Sequence, residues 1–324
     1  MTPILEVDRL SLHYRTRFGG RIHAVDDVSF TLQKGEILGI AGESGCGKTT
    51  LVSGLMGLLI PPLHRTTGAV RIAGRDILGL TPDEARRTVL GREVSMIPQG
   101  ALNSLNPTRK VKDLAADVIR SHDERADRSA IHDRLRERFT KIGLDADAVL
   151  DAYPVQLPAG TKQRVVIGIS TLLNPKIVIA DEPSSALDVS TQKAVIRLLF
   201  DLLDEGIVSS MIFITHELSL LRHVSSRIAV MYAGQIVELG TTEQVIFDGR
   251  QPYTRALMGS MLSAEPGQKA RKPVAIEGAP PYLGQELHGC RFAPRCPVAK
   301  PDCAGRDQVL REVKNHWVRC HHAE

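Results

Sequence analysis

Residues 42–49 read GESGCGKT and match the pattern G-x-x-x-x-G-K-[ST]. An apolar segment, EILGIA, precedes them and a helical pattern, TLVSGLMGLL, follows, so the loop joins a short strand to a helix. In this setting the glycines let backbone N–H groups point at phosphate oxygens, and the helix that begins near Thr49 adds its positive end. Lys48 would reach the β and γ phosphates, and the Thr49 hydroxyl would bind Mg²⁺. The stretch therefore predicts a site for a nucleoside triphosphate.

We refer to residues 42–49 as the phosphate loop. A chance glycine-rich loop is disfavoured by the strand before it and the helix after it. A dinucleotide fingerprint is excluded, because Thr50 stands where its third glycine would fall. Cys46 is favoured as a small buried filler over a redox switch, although a thiol beside a helix N-terminus can have a lowered pKa. The predicted contacts with the nucleotide are Gly42, Glu43, Ser44, Gly45, Cys46, Gly47, Lys48, Thr49 and Thr50.

Two adjacent carboxylates end the apolar stretch at residues 177–182, IVIADE. Asp181 at the end of a strand is suited to the Mg²⁺ shell that a phosphate loop requires. Glu182, the next residue, is suited to polarise the attacking water as a general base. Alone, such a pair would be an ordinary acidic loop. Together with the phosphate loop it predicts hydrolysis of the bound nucleotide.

Bulk composition bounds the class of protein. The 324 residues suffice for one large α/β domain with a smaller appendage. With 41 basic and 37 acidic residues the net charge is only +4, which argues against general nucleic-acid affinity. No apolar run reaches the roughly 18 residues of a membrane span. The N-terminal stretch lacks a basic region followed by an apolar core, so we expect a cytosolic protein held at a membrane, if at all, by partner subunits.

The pattern of segments predicts an α/β fold. Apolar strands alternate with helices, which favours a parallel sheet with helices on both faces. Alternating polarity near the N-terminus favours antiparallel strands, and a charged helical insert occupies residues of about 100–165. Composition shifts to Pro, Gly and Cys near residue 250. We expect a P-loop NTPase with a RecA-like parallel core, an antiparallel β subdomain and a helical insert over 1–250, and a small irregular extension over 251–324.

The order of these motifs resembles that of ABC-type ATPases, the nucleotide-binding subunits of transporters, over residues 1 to about 250. The resemblance implies further roles. Tyr14 would stack on adenine, although a strand core residue is nearly as good an interpretation. Gln99 would sense Mg²⁺ and contact membrane subunits, and His216 would contact the γ-phosphate. Residues 185–188, SALD, resemble the D-loop of that family.

The stretch LPAGT at residues 157–161 departs from the family's signature, L-S-G-G-Q, which clamps the γ-phosphate of ATP bound to the opposite subunit. Pro158 supplies neither a hydroxyl nor a backbone N–H, and the Cβ of Ala159 hinders close approach. Gly160 is kept, and Thr161 replaces glutamine. The resemblance therefore implies an asymmetric heterodimer with a second, different ATPase chain, in which the reciprocal site is weak. A milder alternative is that Gly160 and the helix end still suffice.

Four of the five cysteines lie in the tail, within GCRFAPRCPVAKPDC at 289–303 and HWVRC at 316–320. In a reducing compartment such a cluster indicates metal more often than disulfides. The tail resembles the C-terminal extension of oligopeptide and dipeptide importers, in which four such cysteines hold a [4Fe–4S] cluster. Zinc is the second choice, since paired C-x-x-C motifs are absent, and unligated thiols are the third. The ligands would be Cys290, Cys296, Cys303 and Cys320.

The resemblance implies the ATPase subunit of a peptide importer at the cytoplasmic face of the membrane. Its partners would be a second ATPase chain, two permeases and an extracytoplasmic substrate-binding protein. Similar subunits serve nickel chelates or oligosaccharides, so the cargo stays open. A soluble ABC ATPase acting on nucleic acid or ribosomes is the alternative from another class, and the long coiled-coil insertion or second ATPase domain typical of it is absent. A binding module without turnover conflicts with Glu182 and His216.

Overall fold

The computed structural model describes residues 2–100, 103–185, 187–260, 275–285 and 287–324. The chain divides into two compact units. The first comprises Met1–Leu32, Glu36–Leu78 and Phe213–Glu324, and the second comprises Gln33–Gly35 and Gly79–Ile212. Among the described residues, no helix is both long and apolar enough to cross a membrane. The predicted domain boundary near residue 250 stays a prediction.

An antiparallel sheet forms one part of the first unit. Its strands, in spatial order, are β2 (Arg21–Leu32), β1 (Leu5–Arg15), β4 (Leu63–Ile72) and β5 (Arg75–Asp76). In β1 the buried side chains include Leu5, Val7, Leu10 and Leu12, and register shifts along the strand explain why the alternation is imperfect. The antiparallel arrangement expected from the alternating N-terminal segments is confirmed.

A second set of strands in the first unit combines parallel and antiparallel pairs. β3 (Ile37–Ala41) pairs in parallel with β9 (Arg227–Tyr232), which pairs antiparallel with β10 (Gln235–Thr241). The extension then adds β12 (His316–Val318) to β10, and β11 (Arg311–Val313) to β12. Strands of three residues are too short to show a period, so this part of the extension is not visible in the sequence pattern.

The described residues of the first unit form four α-helices: α1 (Lys48–Leu55), α8 (Leu218–Val224), α9 (Thr242–Phe247) and α10 (Pro252–Gly259). The first of these packs closely on β1. A Cβ at Gly54 would lie 2.8 Å from Leu12 Cδ1, so the absence of a side chain lets α1 approach the sheet. This contact fixes the helix that follows the phosphate loop.

The second unit contains a parallel strand pair and the helical insert. β6 (Val94–Ile97) pairs with β7 (Ile177–Asp181), and every residue of β7 is buried, which explains its unbroken apolar sequence. β8 (Ser210–Ile214) begins in this unit and ends in the first. The helices are α2 (Pro82–Thr88), α3 (Val111–Arg120), α4 (Arg128–Lys141), α5 (Ala146–Asp151), α6 (Ala159–Ser170) and α7 (Val189–Asp204).

The helical insert has an apolar core of its own. Ile119, Leu135, Phe139 and Val165 are buried in one cluster that joins α3, α4 and α6. Arg138 of α4 is buried, but other charged residues of this segment are exposed, for example the Arg136–Asp147 ion pair. High charge along these helices is therefore compatible with a packed subdomain.

Candidate functional site

The phosphate loop follows β3 and is pressed against neighbouring backbone. Gly47 has φ 106°, and a Cβ there would lie 2.2 Å from the carbonyl oxygen of Ala24. A Cβ at Gly42 would lie 2.3 Å from the carbonyl oxygen of Met231. Since real Cβ atoms do not make such contacts with backbone, only glycine fits at either position. The loop is therefore held tightly at both ends, while Ser44 and Gly45 at its tip are exposed.

Lys48 lies folded over this loop. Its Nζ donates hydrogen bonds to the carbonyl oxygens of Gly42 at 2.7 Å and Glu43 at 3.0 Å. The ammonium group is thus held by the loop to which it belongs. It lies at the start of α1, where free N–H groups and the helix dipole attract an anion.

Cys46 is buried beside Lys48, with 4% of its surface exposed. Burial raises the pKa of its thiol, and the neighbouring Lys48 offsets this only in part. The thiol is therefore neutral at pH 7, as suits a packing residue. The alternative of a lowered pKa is wrong, because burial, the largest cause of the shift, raises the pKa of this thiol.

Two other predicted residues of the first unit are Tyr14 and His216. The Tyr14 hydroxyl lies 3.1 Å from Thr50 Oγ1, which places the ring at the first turn of α1. His216 is exposed just beyond the end of β8. Stacking of Tyr14 on adenine and contact of His216 with the γ-phosphate stay predictions.

The second unit brings Gln99 and Glu182 together. Gln99, just after β6, donates from Nε2 to Glu182 Oε2 at 3.0 Å, because parallel strands end at the same edge of a sheet. Asp181 is buried at the last position of β7. Glu182 has φ 47°, a left-handed conformation that costs a residue with a side chain about 1 kcal/mol or more. Such strain is typical of functional positions.

The altered signature stretch leads directly into α6, as expected. Pro158 is the N-cap and supplies no side-chain hydrogen bond, so the N–H groups of the first turn have no cap from it. A Cβ at Gly160 would lie 2.8 Å from Thr191 Cγ2, near the start of α7. Ala186 of the D-loop-like stretch and residues 101–102 after Gln99 lie outside the described residues.

The four tail cysteines line one cavity of about 210 Å³, together with Phe292 and Val298. Cys290 donates its N–H to the carbonyl oxygen of Cys303 at 2.8 Å, which draws two of the thiols together. Burial raises the pKa of Cys290 and of Cys296. Ligand atoms of Asp302, Cys303 and His322 also lie within 4.8 Å of one another. The cavity thus gathers the four predicted metal ligands.

Sequence reasoning missed one part of the site. Arg295, from the tail, pairs with the Glu43 carboxylate at 2.7 and 3.0 Å, and the Tyr253 hydroxyl accepts the Glu43 N–H at 2.9 Å. No local signal marks these contacts, because more than 200 residues separate the partners in the chain, 210 for Tyr253 and 252 for Arg295.

Fold and site together define an ABC-type ATPase, since residues 25–185 match the family described as ABC transporter. Residues 237–303 match the family described as oligopeptide/dipeptide transporter, C-terminal region. The chain therefore belongs to the ABC transporter family, in the branch that carries this C-terminal region. Members of this family are ATPases coupled to transport, and so is this chain.

Full-length relatives support the assignment. The oligopeptide transport ATP-binding protein OppF of Escherichia coli strain K12 is 37% identical over 98% of this chain and 95% of that protein. OppD of Bacillus subtilis strain 168 is 38% identical over 98% of this chain and 88% of that protein. The dipeptide transport ATP-binding protein DppD of Haemophilus influenzae is 36% identical over 98% and 95%.

A solved structure agrees in fold. The dimeric structure of MJ0796, a bacterial ABC transporter cassette, aligns with a TM-score of 0.64 at 23% identity, covering 74% of this chain and 98% of that chain. The predicted family and the predicted α/β P-loop NTPase fold are confirmed.

Proposed function

We propose that this chain is the ATP-hydrolysing subunit of an importer for dipeptides or oligopeptides. One observation carries the proposal: the similarity to oligopeptide and dipeptide transport proteins runs through the whole chain, including the C-terminal region at residues 237–303. Each unit contains residues that we assign to hydrolysis: Lys48 and His216 in the first, and Gln99, Asp181 and Glu182 in the second. Nickel chelates or oligosaccharides are alternative cargoes.

Each of the proposed site residues has a separate role in ATP binding or hydrolysis. When ATP enters, Lys48 exchanges the carbonyl oxygens of Gly42 and Glu43 for phosphate oxygens. Glu182 accepts a proton from the attacking water, and its hydrogen bond with Gln99 holds the carboxylate in place. His216 would contact the γ-phosphate, and Tyr14 would stack on the adenine.

Thr49, Gln99 and Asp181 are the residues that would hold Mg²⁺. They offer a hydroxyl, an amide oxygen and a carboxylate, the oxygen donors that this cation prefers. Bound there, Mg²⁺ would neutralise charge that develops on the phosphates. The donor set therefore fits the ion that the proposed reaction needs.

The signature stretch supports an asymmetric pair of ATPase subunits. The N-terminus of α6 offers its dipole and Gly160 to a neighbouring nucleotide, but Pro158 offers no hydroxyl. Loss of one donor to a transition-state charge costs about 3 kcal/mol, or roughly 100-fold in rate. We infer a second, different ATPase partner whose own signature completes the site on this chain, while the site completed by this chain is slow.

The remaining partners follow from the proposed importer. The chain would dock from the cytoplasmic face on two permeases, which receive the cargo from an extracytoplasmic binding protein. No observation favours action on nucleic acid or ribosomes.

Reconstitution tests the function. The complete transporter in proteoliposomes, with its binding protein, is expected to hydrolyse ATP faster when dipeptides or oligopeptides are supplied. Stimulation by nickel chelates or oligosaccharides alone would assign a different cargo. Absence of stimulation by any of them, with ATP hydrolysis intact, would contradict a role in import.

For the tail we propose a [4Fe–4S] cluster held by Cys290, Cys296, Cys303 and Cys320. All four cysteines line one cavity of about 210 Å³, and a ligand set of four cysteines suits a multi-iron cluster. Zinc is the alternative, because four thiolates suit it too. Bound there, the cluster would cross-link the short, core-poor tail.

We expect anaerobically purified protein to contain about four irons per chain and to absorb near roughly 400 nm. Cys290→Ser should lose most of the iron, because one ligand of four is gone. Cys46→Ser is the matched control: it removes a buried thiol outside the cavity and should keep the iron. A colourless protein with one zinc per chain would assign the site to zinc, and the group of Asp302, Cys303 and His322 would then be a competing position.

A further inference from the structure

The C-terminal extension (residues 251–324, the tail) contacts Glu43 of the phosphate loop. Arg295 meets the Glu43 carboxylate with both terminal nitrogens, Nη1 at 2.7 Å from Oε2 and Nη2 at 3.0 Å from Oε1. The Arg295 side chain is 4% exposed and that of Glu43 is 26% exposed. A bidentate, largely desolvated ion pair of this kind fixes the orientation of the Glu43 carboxylate and also neutralises its charge. Arg295 immediately precedes Cys296, one of the proposed ligands.

The backbone of Glu43 is held as well. Its N–H donates to the hydroxyl of Tyr253 at 2.9 Å. Tyr253 is fully buried and packs against Tyr232, at 4.5 Å between ring centroids, and against Phe292, at 5.4 Å. Phe292 lies between Cys290 and Cys296 in the sequence, so the aromatic cluster also belongs partly to the cysteine-rich tail.

Glu43 in turn contacts Lys48 of the phosphate loop. Its carbonyl oxygen is one of the two that accept hydrogen bonds from Lys48 Nζ. The tail thus determines where the side chain and the backbone of Glu43 lie, and Glu43 helps to determine where Lys48 lies. Every contact in this path joins described residues of the first unit.

The charge of Glu43 would also affect the affinity for the nucleotide directly. A carboxylate in the phosphate loop repels a triphosphate, and the repulsion is strong where solvent screening is reduced. Arg295 cancels the charge of Glu43. Removal of the guanidinium alone would therefore leave an uncompensated carboxylate in the loop, and the cost of truncating such a pair comes largely from the charge that remains.

We propose that Arg295 is a positioning residue for ATP binding, which acts through Glu43 and couples the cysteine-lined cavity to the phosphate loop. The inference rests on the proposed ATPase function.

The test measures the dissociation constant of Mg-ATP for the purified full-length chain, with iron content and melting temperature recorded for each variant. Arg295→Gln should weaken binding about tenfold, while Glu43→Gln should weaken it only about twofold. The double variant should resemble Glu43→Gln, because no uncompensated carboxylate remains. In the assembled transporter, Arg295→Gln should raise KM for ATP and leave kcat unchanged.

Asp26→Asn is the matched control. It removes the charge from another ion pair between the tail and the rest of the first unit, Arg291 with Asp26. The Asp26 side chain bonds to Arg291 and Gln235, neither of which belongs to the phosphate loop. It should bind Mg-ATP within about twofold of the wild type. A general loosening of the tail would weaken binding in this control as much as in Arg295→Gln, and that result would overturn the inference.

The outcomes separate the two proposals. Wild-type protein that fails to bind Mg-ATP would refute the proposed function. Wild-type binding with an unchanged Arg295→Gln affinity, or a double variant as weak as Arg295→Gln, would refute the positioning role alone. Should Arg295→Gln not fold, Arg295→Lys replaces it. Because lysine keeps the charge but cannot grip both carboxylate oxygens as arginine does, about threefold weaker binding supports the role and unchanged affinity overturns it.

Discussion

We expect Glu182→Gln to lower ATP hydrolysis by the assembled transporter by more than about 100-fold while Mg-ATP binding is retained, because Glu182 is the proposed general base. The amide keeps the shape of the side chain and still contacts Gln99, which lies 3.0 Å from Glu182 in the native protein. It cannot accept the proton of the attacking water, so the loss falls on the chemical step. Steady-state phosphate release and equilibrium nucleotide binding measure the two effects separately.

Two comparisons sharpen this prediction. Glu205→Gln removes a glutamate that pairs with Lys141 at the surface, and it should leave turnover unchanged. In the proposed asymmetric pair, replacement of the corresponding glutamate in the partner ATPase should leave most of the turnover. Near-normal hydrolysis by the Glu182→Gln transporter would show that Glu182 is not the general base.

Gly47→Ala has the largest expected effect on folding. The new Cβ would lie 2.2 Å from the carbonyl oxygen of Ala24, and the residue would have to keep φ 106°. Since a backbone oxygen cannot move aside as a flexible side chain can, the loop itself must shift. We expect the free energy of unfolding to fall by about 3 kcal/mol or more and Mg-ATP binding to be lost.

Gly45→Ala is the matched variant in the same loop. Gly45 also has a positive φ, 79°, but a Cβ there meets nothing within 4 Å. It should cost only the left-handed backbone strain, about 1–2 kcal/mol. Thermal and denaturant unfolding measure the loss of stability in each variant. The difference between the two losses gives the cost of the clash with Ala24 beyond that of the left-handed backbone. Equal losses of stability would mean that the Ala24 contact does not constrain the loop.

Local sequence was sufficient to locate most of the residues proposed for hydrolysis. The phosphate loop, Asp181 and Glu182 are recognisable because each lies directly beside an apolar strand, so these features need only neighbouring residues. Gln99 was identified only by the resemblance, and its contact with Glu182 follows from the parallel pairing of β6 with β7, which the sequence did not show. The start of α6 was likewise visible, from the Pro-Ala-Gly turn before an apolar helical run.

Long-range contacts and very short elements could not be predicted. Glu43 occupies a variable position of the phosphate-loop motif, and no nearby residue in the sequence indicates that Arg295 or Tyr253 contacts it. The β11–β12 hairpin has too few residues to show alternation. Cys46 shows the limit of local electrostatic reasoning: the helix end favours the thiolate, but burial, which a single sequence does not report, raises its pKa.

Equilibrium binding of Mg-ATP to the purified full-length chain, measured beside the Lys48→Ala variant, tests the central claim most directly. The account predicts one saturable site per chain in the wild type and affinity weakened by about 100-fold in Lys48→Ala, because the ammonium proposed to contact the β and γ phosphates is gone. Equal affinity of the two proteins, or no binding by the wild type, would contradict it.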